Sequence, residues 1–455
     1  AILPRSEKSI LMEKMDENHI PDIIAPIMRK KKRLITLLVL PLAILMVIGL
    51  YQIPAINNRL AWRVDTLRAE IKYAFNPPEE EVFIPEEEHA TSTPAATATP
   101  EPTEQTATPT KAGPTKTLMP TATATMTTTP LPESVTLTGI THEYQAWNNC
   151  GPSNLSMALS YWDWPGDQYV TEDYIKPNRR DKNVMPYEMV AFVNEQTDLK
   201  ALWRVGGDLE LLKRFVAAGF PVLVEKGFEA DRFDGWMGHY EVVNGYDDSR
   251  QRFLTQDSYI MSNFPVSYED MQTYWQHFNY TYIIIYPPER EADVMELLGP
   301  YQDETYAYRA AAERASNEIF TLTGRAKAFA WFNRGTNLVY LDDYAGAAEA
   351  YDEYFLIYAS LDGDEINVPW RAVWYQTGPY WAYYYTGRYY DVINLATTTI
   401  ETVSEPAIEE TWYWRGLARE ALGDIDGAIA DLRKAVELNP NFDVGQFHLE
   451  RIQGG

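Results

Sequence analysis

The sequence of 455 residues contains a single cysteine, so a disulfide bond within one chain is excluded. Basic residues are also scarce, because 39 Lys and Arg stand against 65 Asp and Glu and give a formal net charge of −26. A surface of this charge repels nucleic-acid phosphates and anionic lipid headgroups, so we expect no nucleic-acid partner. The chain is too long for one core of usual size, which predicts two or three domains with non-globular segments between them.

Charged residues are absent from residues 34 to 58. A bilayer-spanning helix needs about 20 consecutive apolar residues, and we predict one over residues 34–53. The basic run from Arg29 to Arg33 predicts that residues 1–33 are cytoplasmic and that the bulk of the chain lies outside a bacterial cell membrane. We interpret this arrangement as a single-pass signal anchor, with a cleaved signal peptide as the alternative.

Two non-globular segments follow the apolar run. Over residues 54–75, apolar side chains recur with helical spacing, which predicts a juxtamembrane amphipathic helix that serves as a stalk or as a dimerising seam. Residues 76–133 consist largely of Thr, Pro and Ala units. Such a composition offers no side chains for a core, so we predict a disordered linker that holds the distal domains away from the membrane.

Helix and strand signals alternate over residues 134–290. Asp208 begins a helical pattern that ends at Gly219, and the strand candidates are short β-branched or aromatic runs at 221–225, 239–246, 252–256 and 281–286. We expect helices packed on an antiparallel sheet, which is an α+β domain.

The chain is helical and repetitive from residue 300 to 455. Three segments, starting at Trp331, Trp374 and Trp412, resemble the tetratricopeptide repeat, with turns expected at residues 342, 387 and 423. A further helix over 303–320, an insertion over 361–367 and a cap helix over 446–452 complete the predicted solenoid. Such arrays bind extended peptide segments, and this one holds 28 Asp and Glu against 13 Lys and Arg from residue 289 onward, which favours a basic protein partner.

Cys150 lies in an Asn-Cys-Gly-Pro turn directly before a predicted amphipathic helix over 153–162. The dipole of a helix N-terminus favours the thiolate, which is the nucleophilic form of cysteine. His239 opens one predicted strand and Asp257 ends the next, so a hairpin turning at 247–249 brings the two together. Gln145 lies five residues before the thiol. We assign His277, by contrast, to an aromatic surface.

The four residues Gln145, Cys150, His239 and Asp257 resemble the papain-like bacteriocin-processing peptidases, which cleave after double-glycine leaders. The Gly-His-Tyr motif at 238–240 and the Gly-Tyr-Asp-Asp motif at 245–248, at the two ends of the strand that His239 opens, belong to the same resemblance. The resemblance covers roughly 150 residues. It implies a papain-like fold in which Cys150 is the nucleophile, His239 the base, Asp257 its orienting partner and Gln145 an oxyanion donor.

These observations lead to the hypothesis of a membrane-anchored extracytoplasmic cysteine peptidase, with a repeat domain that binds a protein partner. Its substrate would be a peptide or protein, and the chemistry requires neither a cofactor nor a metal. The alternative is a non-catalytic peptide- or protein-binding scaffold in which the papain-like domain is a relic. Cell-wall hydrolysis fits poorly, because such enzymes commonly place the cysteine between Asp and Ser-Gly.

Overall fold

The structure, a computed structural model, describes residues 83–85, 130–181, 183–229, 236–361, 371–403 and 406–454. These segments belong to one compact unit that extends from Leu67 to Gly455. The predicted cytoplasmic segment, membrane helix and juxtamembrane helix lie outside the described residues, as does most of the predicted linker. Within the described ranges, no helix has the length and apolar character that a membrane crossing requires.

An antiparallel sheet organises the first half of the unit. In the described chain it has seven strands, in the order β2-β7-β3-β4-β5-β6, and β1 pairs with the end of β4. Every pairing is antiparallel, as the sequence predicts. The strands are β1 Ser134–Thr136, β2 Lys200–Arg204, β3 Val222–Glu229, β4 Trp236–Asp247, β5 Arg252–Gln256, β6 Phe264–Ser267 and β7 Tyr282–Tyr286.

Helices cover both faces of this sheet. Strand β7 is apolar at every position because its alternate side chains point into two separate cores, Tyr282 and Ile284 into one and Ile283 and Ile285 into the other. The α+β prediction is therefore confirmed. The helices of this half are α1 Cys150–Ser160, α2 Gln168–Ile175, α3 Pro186–Gln196, α4 Leu209–Ala217, α5 Tyr268–Gln276 and α6 Glu291–Leu298.

Helical hairpins form the second half. The residues at the three predicted turns, Asp342, Gly387 and Gly423, have φ angles of 60°, 77° and 85°, a left-handed conformation that ends one helix before the next begins. The predicted extra helix and cap helix are both present. The helices are α7 Glu304–Thr321, α8 Gly324–Tyr340, α9 Tyr344–Ser360, α10 Ala372–Tyr375, α11 Gly378–Tyr385, α12 Tyr389–Thr402, α13 Glu409–Ala421, α14 Ile425–Leu438 and α15 Asp443–Gly454.

Buried polar contacts join the two halves. The side-chain amides of Asn279 and Asn337 exchange hydrogen bonds of 2.7 and 3.1 Å. His277 stacks on Phe329 with ring centroids 4.1 Å apart and accepts a hydrogen bond from the indole N–H of Trp236 at 2.9 Å. The assignment of His277 to a surface was wrong, because the repeat helices cover that face and the imidazole has almost no solvent exposure.

Phe83, within the predicted linker, packs into the repeat helices. Its ring centroid lies 5.0 Å from that of Phe355 and 6.2 Å from that of Tyr383, and the side chain is only 7% exposed. The linker prediction is thus wrong at this position. A single aromatic residue in a Pro- and Glu-rich stretch gives little sequence signal, yet it buries a large apolar surface.

Substituting Phe83→Ala should lower the free energy of unfolding by about 3 kcal/mol, because it leaves a cavity among the repeat helices. Ile84→Ala is the matched control, since Ile84 is 57% exposed and its substitution should change stability by less than about 0.5 kcal/mol. Guanidinium unfolding of both variants measures the difference. Equal midpoints for the two variants would show that Phe83 does not anchor this segment.

Candidate active site

Helix α1 begins at Cys150 itself, so the thiol stands at the helix N-terminus. Asn148 turns the chain into the helix with a φ of 54°. Gly151 is required by close packing, because a Cβ atom there would lie 2.9 Å from the Met189 side chain and 3.1 Å from that of Val184. The predicted amphipathic helix is buried on all sides from residue 151 to 159. The thiol is half-buried, which leaves it within reach of solvent.

Strands β4 and β5 bring His239 and Asp257 together as predicted. The imidazole Nε2 lies 3.2 Å from the Asp257 Oδ1, and the two side chains are 4% and 0% exposed. The same Oδ1 accepts hydrogen bonds from the backbone N–H groups of Tyr259 and Ile260 at 2.7 and 2.9 Å. His239 also hydrogen-bonds the Cys150 thiol. Since Nε2 faces Asp257, Nδ1 is the ring nitrogen left for the thiol.

The electrostatics favour a thiolate-imidazolium pair. Burial alone would raise the pKa of Cys150, but the hydrogen bond and charge of His239 outweigh burial and lower this pKa below its ordinary value. Burial would lower the pKa of His239, yet the Asp257 carboxylate raises it to about 10. The pKa of Asp257 falls to about 2, because the His239 charge and hydrogen bond prevail over desolvation. At neutral pH the thiol is therefore poised as a nucleophile.

Two further groups stabilise the negative sulfur, and no pattern in the sequence indicates either of them. The backbone N–H of Tyr240 hydrogen-bonds the thiol, and the buried Lys176 ammonium lowers its pKa through charge. Lys176 also donates to the Asn148 carbonyl at 2.6 Å and so holds the turn that leads into α1. It follows an ordinary polar helix in sequence, and only the fold brings it beside Cys150.

Gln145 is close to the site but does not contact the thiol. Its Oε1 accepts a hydrogen bond from the Ser258 hydroxyl at 2.8 Å, and its backbone N–H donates to the Ser258 carbonyl at 2.9 Å. Asn154, one turn after Cys150, donates to the same hydroxyl at 2.8 Å. In the described chain no hydrogen bond joins Gln145 to Cys150. Ser258 thus fixes the orientation of the Gln145 side-chain amide. The only sequence signal for this role of Ser258 is that it directly follows Asp257.

His142, the histidine nearest to the thiol in sequence, lies elsewhere in the site. Its Nδ1 is 3.2 Å from the Gln256 Oε1, and burial lowers its pKa.

Asp247 lies in the turn between β4 and β5. It accepts a hydrogen bond from Ser249 and pairs with Arg250, which are the contacts of a hairpin turn.

One group in the described ranges has ligand atoms close enough for a metal ion, namely His239, Glu241 and Asp257 within 4.8 Å of one another. Each is already engaged, because Glu241 forms an ion pair with Lys226 at 2.8 Å while His239 pairs with Asp257. An ion there would compete with the thiol for the imidazole. We therefore interpret these residues as a buried network of ion pairs that includes the catalytic candidate His239.

Replacing Asp257 with Asn should slow the alkylation of Cys150 at pH 6. Without the carboxylate, the imidazolium loses its stabilising charge and the thiol pKa rises, so the rate with iodoacetamide should fall by about tenfold or more. Asp247→Asn on the same hairpin is the control and should react at the wild-type rate. Equal rates for wild type and Asp257→Asn would contradict the role of Asp257.

Two parts of the chain match known protein families. The Peptidase C39-like family matches residues 137–283, and the tetratricopeptide repeat family matches residues 409–442. The crystal structure of a protein described as a C39-like peptidase from Bacillus anthracis is 19% identical, with a TM-score of 0.28, and the match covers 34% of this chain and 98% of that one. No curated protein matches the chain. The chain thus contains a C39-like peptidase domain followed by a helical region with a tetratricopeptide repeat.

Proposed function

We propose that this chain is a cysteine peptidase that hydrolyses peptide bonds and binds a protein partner through its repeat helices. The observation that carries the proposal is that His239 acts on the Cys150 thiol while its Nε2 lies 3.2 Å from the buried Asp257 carboxylate. A structural cysteine needs no such arrangement, because burial without a partner makes a thiol inert. The C39-like domain match supports a peptide as the substrate.

The reaction proceeds in two steps through a thioester. The Cys150 sulfur attacks the peptide carbonyl carbon, and the His239 imidazolium gives its proton to the leaving nitrogen, so the C–N bond breaks and the amine departs. Neutral His239 then takes a proton from water as the water oxygen attacks the thioester. The acid is released, and the thiolate and the imidazolium are restored. Asp257 keeps the imidazole oriented through Nε2 throughout.

The proposed location is the outer face of a bacterial cell membrane, with a single span over residues 34–53 and a cytoplasmic N-terminus. The charge-free run of residues 34 to 58 and the basic cluster before it support this placement. Protease protection on intact cells tests it. Digestion of the repeat domain by added protease is expected, and protection of that domain until the cells are lysed would rule the placement out.

Cys150→Ala should lower the hydrolysis of a peptide library, read by mass spectrometry, by about a thousandfold or more, because it removes the nucleophile. His448→Ala is the matched control, since His448 lies in the last helix, α15, and its removal leaves the reactive pair intact. If wild type and Cys150→Ala give the same products, the chain is not a cysteine peptidase. Retained peptide binding without cleavage by the wild type would instead favour the non-catalytic scaffold.

Gln145→Ala should lower kcat by about a hundredfold if its amide donates to the oxyanion. Iodoacetamide alkylates the Cys150 thiolate without forming an oxyanion. The alkylation rate of Gln145→Ala should therefore equal that of the wild type. The two measurements together separate oxyanion stabilisation from a general disturbance of the site. An unchanged kcat would assign the oxyanion to other donors, and a parallel fall in both rates would make Gln145 structural.

A further inference from the structure

A cavity with about 70 Å³ of free space lies between the C39-like domain and the repeat helices. Space of this size holds several water molecules, which is enough for one extended side chain. The sheet domain contributes one wall, which includes Met185, Trp203 and Glu225, and the repeat helices contribute the other, which includes Tyr340, Tyr375 and Trp381. Three of the lining aromatic residues are partly exposed, Tyr187 at 43%, Tyr340 at 45% and Trp381 at 37%, so the cavity opens to solvent on their side.

Glu225 is the acidic group of this cavity. It is only 5% exposed, and its position opposite Tyr240 in the β3-β4 ladder places it next to the strand that carries His239. Burial raises its pKa well above the usual range, and the charge of Cys150 raises it further. Among the described residues, no cation contributes to this pKa. A buried carboxyl without a positive partner is costly to ionise, and a bound cation would remove that cost.

The surroundings of Glu225 suit an alkyl chain that ends in a positive charge. Aromatic faces attract cations, and apolar walls accept an aliphatic stem. The whole chain carries a formal net charge of −26, which draws positively charged peptides toward it.

The cavity is also connected to the reactive cysteine. The Tyr240 backbone N–H hydrogen-bonds the thiol, and the Tyr240 hydroxyl donates to the Val184 carbonyl at 2.8 Å. Val184 packs against Gly151, the residue after Cys150, and directly precedes the cavity residue Met185. Tyr240 and the segment from Val184 to Met185 thus lie between the cavity and the thiol.

We propose that this cavity binds a lysine or arginine side chain of the peptide substrate, with its positive charge against Glu225 and its stem between the aromatic walls. The proposal rests on the proposed peptidase function for the identity of the ligand. It assigns to the repeat helices a direct part in substrate selection, because they supply half of the specificity pocket.

Binding can be measured without catalysis, on the full chain carrying Cys150→Ala. The probes are Nα-acetyl-lysine methylamide and its near-isostere Nα-acetyl-norleucine methylamide, titrated at pH 8 with ligand-observed NMR. The lysine probe should bind about tenfold more tightly, and an added Glu225→Gln should abolish the difference. Glu291→Gln is the charge-matched control, because Glu291 pairs with Lys200 and does not line the cavity. Equal binding of the two probes, or a preference that survives Glu225→Gln, overturns the proposal.

A second variant tests the same site independently, in case Glu225→Gln does not fold. Trp381→Lys changes a partly exposed residue on the repeat side and puts a competing ammonium into the cavity. It should weaken the lysine probe by about tenfold and affect the norleucine probe much less. Equal losses for the two probes would contradict a cation site.

Cleavage of the peptide library by the wild type separates the two proposals. Products enriched in Lys or Arg at one position near the cut, with the enrichment lost in Glu225→Gln, support the pocket. Cleavage without any basic preference overturns the pocket and leaves the peptidase proposal standing. Lysine binding without cleavage supports the cation site and overturns the peptidase proposal.

Discussion

The hydrogen-bonded ladder of strand β4 is the constraint on which the site depends. This strand pairs with β3 along one edge and β5 along the other, and it carries His239, the Tyr240 N–H and Glu241 in succession. Because successive side chains point to opposite faces, a slip of one residue in the ladder would turn the imidazole away from the thiol. The repeat helices fix the start of the same strand, since Arg371 donates to the Trp236 carbonyl at 3.2 Å. The packing of the repeat helices therefore helps to set the position of the strand that carries His239.

Charge compensation allows this strand to be both buried and ionic. Asp257 pairs with His239 and Glu241 pairs with Lys226, so carboxyls and bases alternate in this network. Burial still raises the pKa of Glu241, which Lys226 and His239 lower only in part. Removing the water around one ion costs several kcal/mol, so the loss of one member leaves the remaining charges uncompensated. The network consequently acts on the imidazole as a unit.

The sequence predicted what is local and failed where distant segments meet. Cys150 and Asp257 stand at element boundaries that turn residues and strand periodicity reveal, and the repeat turns carry left-handed Gly or Asp. His239 was expected to open its strand, whereas β4 begins three residues earlier, at Trp236. Lys176 beside the thiol, Ser258 beneath Gln145 and the buried His277 depend on contacts across the fold. Periodicity describes one element and cannot show which surface will cover it, so a face that looks exposed in sequence becomes an interface.

The anchoring of Phe83 changes what the Thr/Pro-rich tract does. Its downstream end is also attached to the compact unit, because the Tyr246 hydroxyl donates to the Pro132 carbonyl at 2.8 Å. Because the tract is attached at Phe83 and at Pro132, it forms a closed loop on the compact unit. The length of this loop therefore does not increase the distance that the chain before residue 83 can span. Doubling the length of that loop would cost only about 0.6 kcal/mol of closure entropy.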